Sequence, residues 1–412
     1  MDDIAKRRGF NDQQAGHGRI FAYNSHFSGL RQGMRLMKFA FIIFKYFPYG
    51  GAQRDMLRIA RACVARGHAV KIYTGQWHGD RPEGTIEVAC LPFSGIFNHQ
   101  RHQQLIDAIT AQLAADKPDL IVGFNRMPGL DAYYAADPCF IERAYTERNC
   151  LYRLTGRYRF FAACEKAVMQ GDGNCRILLL SSREKDIFQR WYHTPDERFR
   201  LLPPSIPAEA FADIDRTAAR AKVLAEFGLP EEANIVLMVG SAFVRKGLDR
   251  AIEGLAALPE AARRNTWLLA VGEDKPDAMA ALAKRLGVGE RIIITSGRPD
   301  IPQLMKAADM LVHPARSELA GIVLIEAMTA GLPVLVTDVC GYAVHIEAAG
   351  AGQVLPSPYR QVDLNQALAH MLESDRTPWS ESGLRYTANI AARFSSAMEA
   401  ELLEQFAAEK RG

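Results

Sequence analysis

At 412 residues, with 48% hydrophobic and 24% charged residues, the chain has a globular composition and the length of two average domains. A net charge of +3 argues against a dedicated nucleic-acid binder, and no apolar run of about 18 residues is present to span a bilayer. Seven scattered cysteines without a C-x-x-C pair suggest neither a zinc ribbon nor a disulfide framework and fit a reducing compartment.

Residues 1–36 are polar and Gly-rich and lack the apolar core of a secretory signal. They read as a disordered extension, or as a start placed upstream of the true one near Met34 or Met37. Regular structure is expected from Met37. "MKFAFIIFKYF" reads as one continuous strand buried on both faces, "PYGG" as a turn, and "AQRDMLRIARACVARG" as a helix closed by Gly67. "HAVKIYTG", "DLIVGFN" (119–125) and "CRILLLSS" (175–182) read as further strands of one parallel sheet. A Pro-rich stretch near 203–210 ends this block, and the charged helical segment 211–233 belongs to the connection or to the second domain.

The second block alternates again. Strands are expected at 234–240, 267–273, 291–297, 309–314 and 332–338, with helices between them. Two such series predict two doubly wound α/β domains facing a cleft, where ligands bind beyond the carboxyl ends of the strands. The expected boundaries are 37–204 for the first domain and 205–385 for the second, with a C-terminal helix at 386–412 that crosses back to the first.

The stretch "SELAGIVLIE" (317–326) places Glu318 in the loop after a strand and Glu326 inside the next helix, with seven uncharged residues between them. A carboxylate suits a sugar or ribose because it accepts two charge-assisted hydroxyl bonds. Small Ala320 and Gly321 leave a helix N-terminus open to phosphates. Arg245 and Lys246 follow the first strand of the second domain, and Gly50 and Gly51 follow the first strand of the chain. An isolated pair of the first kind is commonly an exposed basic turn, but its place at a strand's carboxyl end favours cations set against a leaving diphosphate; the second, taken alone, is no more than a tight turn.

Together with "FKYFPYGGAQRDMLRIA", "GFNRMPGLDAYYAADPC" and "AGIVLIEAMTAGLPVLVTDVCGYA", these residues resemble the retaining glycosyltransferases of family 4. Within that family they resemble the branch that glucosylates the lipopolysaccharide core. The resemblance runs from about Met37 to about Gly350. It implies the GT-B fold of two Rossmann-like domains, UDP-glucose as donor substrate, an inner-core heptose as acceptor, and no cofactor or metal. It also implies donor contacts at Gly50, Gly51, Arg245, Lys246, Glu318, Ala320, Gly321, Ile322, Val323 and Glu326. On the acceptor side it implies an acidic cleft residue at Asp137, with Lys45 and Asp131 behind it. Asp131 has an alternative reading as a helix N-cap.

Ser205 stands where the family pattern has a glycine, and a nearby arginine is displaced, so Arg216 or another cation is expected to substitute. The D-x-D at 213–215 lies in a polar connector and reads as solvated surface, and no histidine spacing suggests a metal site. Arg148, Arg153, Arg157 and Arg159 interleave with Tyr152, Tyr158, Phe160 and Phe161, a pattern suited to an anionic membrane surface. The resemblance places the protein peripherally on the cytoplasmic face of a Gram-negative inner membrane. A family member with another nucleotide sugar or a polysaccharide acceptor, and a non-catalytic nucleotide-binding protein, are the alternatives.

Overall fold

The computed structural model describes residues 35–48, 50–394 and 397–411. The expected extension at 1–36 therefore lies almost wholly outside the described residues.

The first domain is built on a sheet of seven strands: β1 (Lys38–Ile42), β3 (Ala69–Thr74), β5 (Ile86–Cys90), β6 (Leu120–Gly123), β7 (Ala132–Ala135), β8 (Arg176–Leu179) and β9 (Phe199–Leu201). Their order across the sheet is β5-β3-β1-β6-β7-β8-β9. Every pairing in it is parallel. Phe39 lies opposite Val70 on one side and Leu120 on the other, and Phe39 to Ile42 are buried, as a central strand covered on both faces requires.

The expected single strand from Met37 is corrected here. β1 stops at Ile42, and β2 (Lys45–Tyr46) pairs with β4 (Gln76–Trp77) in a separate ribbon. The break occurs where the Phe44 N–H donates to Asn125 Oδ1 (2.7 Å). β5, β7 and β9 are short and add to the strands expected from the sequence. β7 also overturns the N-cap reading of Asp131, which precedes a strand rather than a helix.

The second domain has six strands: β10 (Asn234–Val239), β11 (Thr266–Val271), β12 (Ile292–Thr295), β13 (Met310–His313), β14 (Val334–Thr337) and β15 (Gly352–Leu355). They run in the order β12-β11-β10-β13-β14-β15, again all parallel. In each sheet the chain order reverses beside the first strand, between β1 and β6 and between β10 and β13. These switch points open crevices at the strands' carboxyl ends.

After Arg393 the chain leaves the second domain, and the helix Met398–Arg411 packs on the first. Met398, Leu402, Leu403 and Phe406 join the core of Phe39, Met56 and Ile59. Glu399 pairs with Arg58, Glu404 with Arg66 and His68, and Arg411 with Asp119.

Candidate active site

The two switch points face each other across a cleft of about 590 Å³ lined from both domains. On the second-domain side the chain leaves β10 and makes one helical turn at Phe243–Lys246, closed by Gly247 at φ +83°. A side chain at Gly247 would put its Cβ 2.1 Å from the Pro314 carbonyl oxygen, so only glycine lets this turn sit against the loop after β13. That approach brings the two cations onto the carboxylate. Arg245 donates from Nη1 to the Ser317 carbonyl (2.9 Å) and to Glu318 Oε2 (3.1 Å), and Lys246 Nζ donates to the same carboxylate oxygen.

His313 lies beneath, with Nε2 3.9 Å from Glu318 Oε2. It is fully buried, and neither ring nitrogen has a hydrogen-bond partner among the described residues. Burial pushes its pKa below the ordinary value, against the pull of the neighbouring Glu318 carboxylate. Burial also opposes the charge on Glu318, but the His313 ring and the Lys246 ammonium override it and hold the carboxyl well below the usual carboxylate range.

Close backbone packing shapes the loop beyond Glu318. A Cβ on Gly341 would lie 1.9 Å from the Leu319 carbonyl oxygen, and the Tyr342 N–H donates to the Ala320 carbonyl (2.8 Å). Gly321, at φ +88°, starts the helix Ile322–Ala330. Ala320, Gly321 and Ile322 line the cleft. Val323 does not. Its side chain is in the core, and what it offers is an N–H in the first helical turn, where no intrahelical acceptor exists. Glu326 lies one turn on, behind the lining. Burial pushes its pKa up, and Arg54, whose Nη1 is 3.6 Å from Glu326 Oε1 across the domain gap, offsets this in part.

The first domain contributes α1 (Gly51–Ala65), with Gly50 as its N-cap. Nothing lies within 4 Å of where a Gly51 Cβ would be, so its backbone is open to the cleft. Lys45 lines the cleft from β2, and Asp137 lines it from just beyond the carboxyl end of β7.

Asp131 does not belong here. It sits at the amino end of β7, where its carboxylate accepts from the Ile121 N–H (2.8 Å) and pairs with Lys410 (2.6 Å). Arg216 is corrected likewise. It lies beside Asp309, Gly331 and Arg376 at the amino ends of the second sheet and cannot replace a cation in the cleft, whereas Ser205 does line it. Asp215, from the D-x-D, accepts from the Ala218 N–H as a helix N-cap.

Sequence reasoning missed Asp55, Arg58, His102, Asn125, Tyr134, Tyr342 and Glu399, all of which line the cleft. Tyr134 donates to Asp55 (2.8 Å), and Arg58 holds Glu399 from 341 positions away. No local pattern signals a pairing at that separation.

The four arginines do not line this cleft. Cys150–Leu154 form a short 3-10 turn, and α4 (Gly156–Met169) follows. Arg148, Arg153 and Arg157 stand over the rings of Tyr152, Tyr145 and Phe161, and Arg159 donates to the Leu154 carbonyl. Leu151 and Leu154 are 66% and 67% exposed, beside a loop that presents Ile96 and Phe97 ahead of α2 (Asn98–Asp116). Gly156 faces His99, so the two segments adjoin. Among the described residues no helix is long and apolar enough to cross a membrane, and no three His, Cys, Asp or Glu side chains are grouped to hold a metal ion.

Comparison with known proteins places this geometry. The family described as "Glycosyltransferase Family 4" matches residues 49–210, and "Glycosyl transferases group 1" matches residues 220–387. The lipopolysaccharide glucosyltransferase WaaG of Escherichia coli (strain K12) is 45% identical over 349 residues, covering 84% of this chain and 93% of that one. A crystal structure of WaaG, a glycosyltransferase involved in lipopolysaccharide biosynthesis, superposes with a TM-score of 0.82 at 44% identity, covering 88% and 98% of the two chains. A sucrose-phosphate synthase from Thermosynechococcus elongatus, 20% identical with a TM-score of 0.74 and coverages of 90% and 100%, shares the fold.

Proposed function

Because this chain belongs to glycosyltransferase family 4 and has the GT-B fold, we propose that it moves glucose from UDP-glucose to a heptose of the lipopolysaccharide inner core, with retention of configuration. The observation that carries this reading is the convergence of Arg245 and Lys246 on Glu318, in a cleft whose opposite wall carries the Gly50–Gly51 turn, open at Gly51.

One oxygen of the Glu318 carboxylate engages both cations. A diphosphate draws Arg245 and Lys246 to itself and frees Glu318 to accept hydroxyl bonds from the sugar. The first-turn N–H groups at Ile322 and Val323 complete the anion cradle, and Glu326 takes the ribose. As the bond from the anomeric carbon to the β-phosphate oxygen breaks, the charge growing on the diphosphate meets fixed cations. They stabilise it more than the ground state. The acceptor oxygen attacks from the same face, and its proton passes to the departing phosphate oxygen. Asp137 orients the acceptor hydroxyl.

The test is transfer from UDP-glucose, UDP-galactose, UDP-N-acetylglucosamine and GDP-mannose to purified heptose-terminated lipopolysaccharide, in EDTA, with the product read by mass and anomeric NMR. An α-linked hexose from UDP-glucose is the expected result. Transfer from another donor would keep the cleft and overturn the substrate. No transfer from any of them would overturn the heptose acceptor first, in favour of another such as a polysaccharide, and then favour a non-catalytic nucleotide-binding protein.

A lipid-linked acceptor gives the arginine face its role at the cytoplasmic surface of the inner membrane. Arg148, Arg153, Arg157 and Arg159 meet anionic headgroups around the exposed Leu151 and Leu154. Each basic residue contributes about 1 kcal/mol near such a surface. Replacing Arg153 and Arg157 by glutamine is therefore expected to weaken sedimentation with phosphatidylserine-containing vesicles about 30-fold at low salt. The loss shrinks as salt rises. Unchanged sedimentation would remove the membrane role from this face.

A further inference from the structure

The segment 137–141 leaves β7 and enters α3 (Phe140–Thr146), so the carbonyls of Asp137 and Pro138 and the N–H groups of Cys139, Phe140 and Ile141 find no partner in a strand or helical turn. Buried ionic side chains hold them instead. Arg126 Nη2 donates to the carbonyls of Asp137 (2.6 Å) and Pro138 (2.7 Å). Its Nη1 pairs with Glu165 at 2.6 Å, and its guanidinium lies against the rings of Tyr133 and Phe188. Glu165, from α4, has no exposure; it accepts from the N–H groups of Phe140 (2.6 Å) and Ile141 (3.0 Å) and from the Tyr192 hydroxyl (2.7 Å). Glu184 accepts from the Cys139 N–H (2.9 Å). Two carbonyls and three N–H groups in succession are thus clamped by three charged side chains beneath the cleft wall.

A buried ion pair is weak grounds for stability, because desolvation opposes most of its attraction. What such a clamp supplies is rigidity, and it is applied to the one segment that carries Asp137 into the cleft. We propose that Arg126 and Glu165 are positioning residues for the acceptor, fixing the Asp137 carboxylate against the incoming hydroxyl. The proposal rests on the reading of Asp137 as the acceptor residue. Through Glu165 the clamp also joins that segment to α4, the helix whose first turn carries Arg157 and Arg159.

A misplacement of about 1 Å in a reacting group costs on the order of 100-fold in rate. Arg126→Met is accordingly expected to lower kcat with lipopolysaccharide acceptor about 10- to 100-fold. Calorimetric affinity for UDP should stay within about twofold, since the donor side is untouched. Arg126→Lys keeps a charge and three donors and recovers most of the loss, which a packing role alone does not explain. Asp137→Asn lowers kcat on its own, and adding Arg126→Met to it costs less than about threefold further, because coupled residues are not additive.

If Arg126→Met melts below the assay temperature, Arg126→Met with Glu165→Gln removes both charges together and takes its place in the same cycle. A neutral Asp137→Asn would sink the acceptor role of Asp137 and the proposal with it. A costly Asp137→Asn whose effect multiplies fully with that of Arg126→Met, or a parallel loss of UDP affinity, would leave Asp137 in place and overturn the positioning role.

Discussion

Lys246→Ala lowers kcat/KM for the nucleotide sugar about 100- to 1,000-fold, the range seen when one fixed donor to a developing negative charge is removed. The Lys246 side chain is only 12% exposed, so little water would compete with its ammonium for the phosphate oxygens of the proposed donor. Arg245 is 45% exposed, reaches the same carboxylate from the solvent side, and should matter less. Steady-state release of UDP measures both. A loss below about threefold for Lys246→Ala would show that the diphosphate does not meet this residue in the transition state. Lys246→Arg should recover part of the rate, because the charge remains while its shape changes.

Glu318→Gln separates sugar binding from nucleotide binding. Hydrogen bonds to a charged group contribute about 1.5–3 kcal/mol each, so loss of the carboxylate here proposed to hold the sugar is expected to lower kcat/KM on the order of 100-fold or more. UDP, which lacks the sugar, should bind the variant at least as tightly as wild type, since Arg245 and Lys246 no longer have to leave Glu318. Calorimetry decides it. Weaker UDP binding would place Glu318 on the nucleotide instead.

The same residue makes a statement about stability. The folded-state pKa of Glu318 is depressed below its unfolded value, so its contribution is present above about pH 4.3 and is lost as pH falls through the folded-state pKa. Glu318→Gln should therefore melt below wild type at pH 7, with the gap narrowing at pH 3.

Long apolar strands such as Asn234–Val239 and Thr266–Val271 announced themselves, because a strand covered on both faces must be apolar throughout. The short edge strands Phe199–Leu201 and Gly352–Leu355 carried too few residues to show a pattern. β7 was hidden by Asp131, whose side chain looks like a helix cap but caps the neighbouring strand's Ile121 N–H. "FVRKG" showed its basic pair, but not that Gly247 would press it onto Pro314 and so onto Glu318, 72 positions on.

The sequence by itself determined two parallel α/β domains, a cleft between them, and the residue types on its second-domain wall. Hydrophobic period, turn glycines and the seven uncharged residues between Glu318 and Glu326 are local properties, and local steric and solvation preferences express them directly. Only the tertiary structure decided which charges meet: Glu318 with two cations and a buried histidine, Glu326 with Arg54 across the gap, Glu399 with Arg58, and Glu165 with Arg126 under Asp137. It also sent Asp131 and Arg216 to the amino ends of their sheets, away from the cleft. The physical reason is one of range. Backbone preference acts over a few residues, whereas the environment of a charge is set by whatever the fold packs within a few ångströms of it, at any distance along the chain.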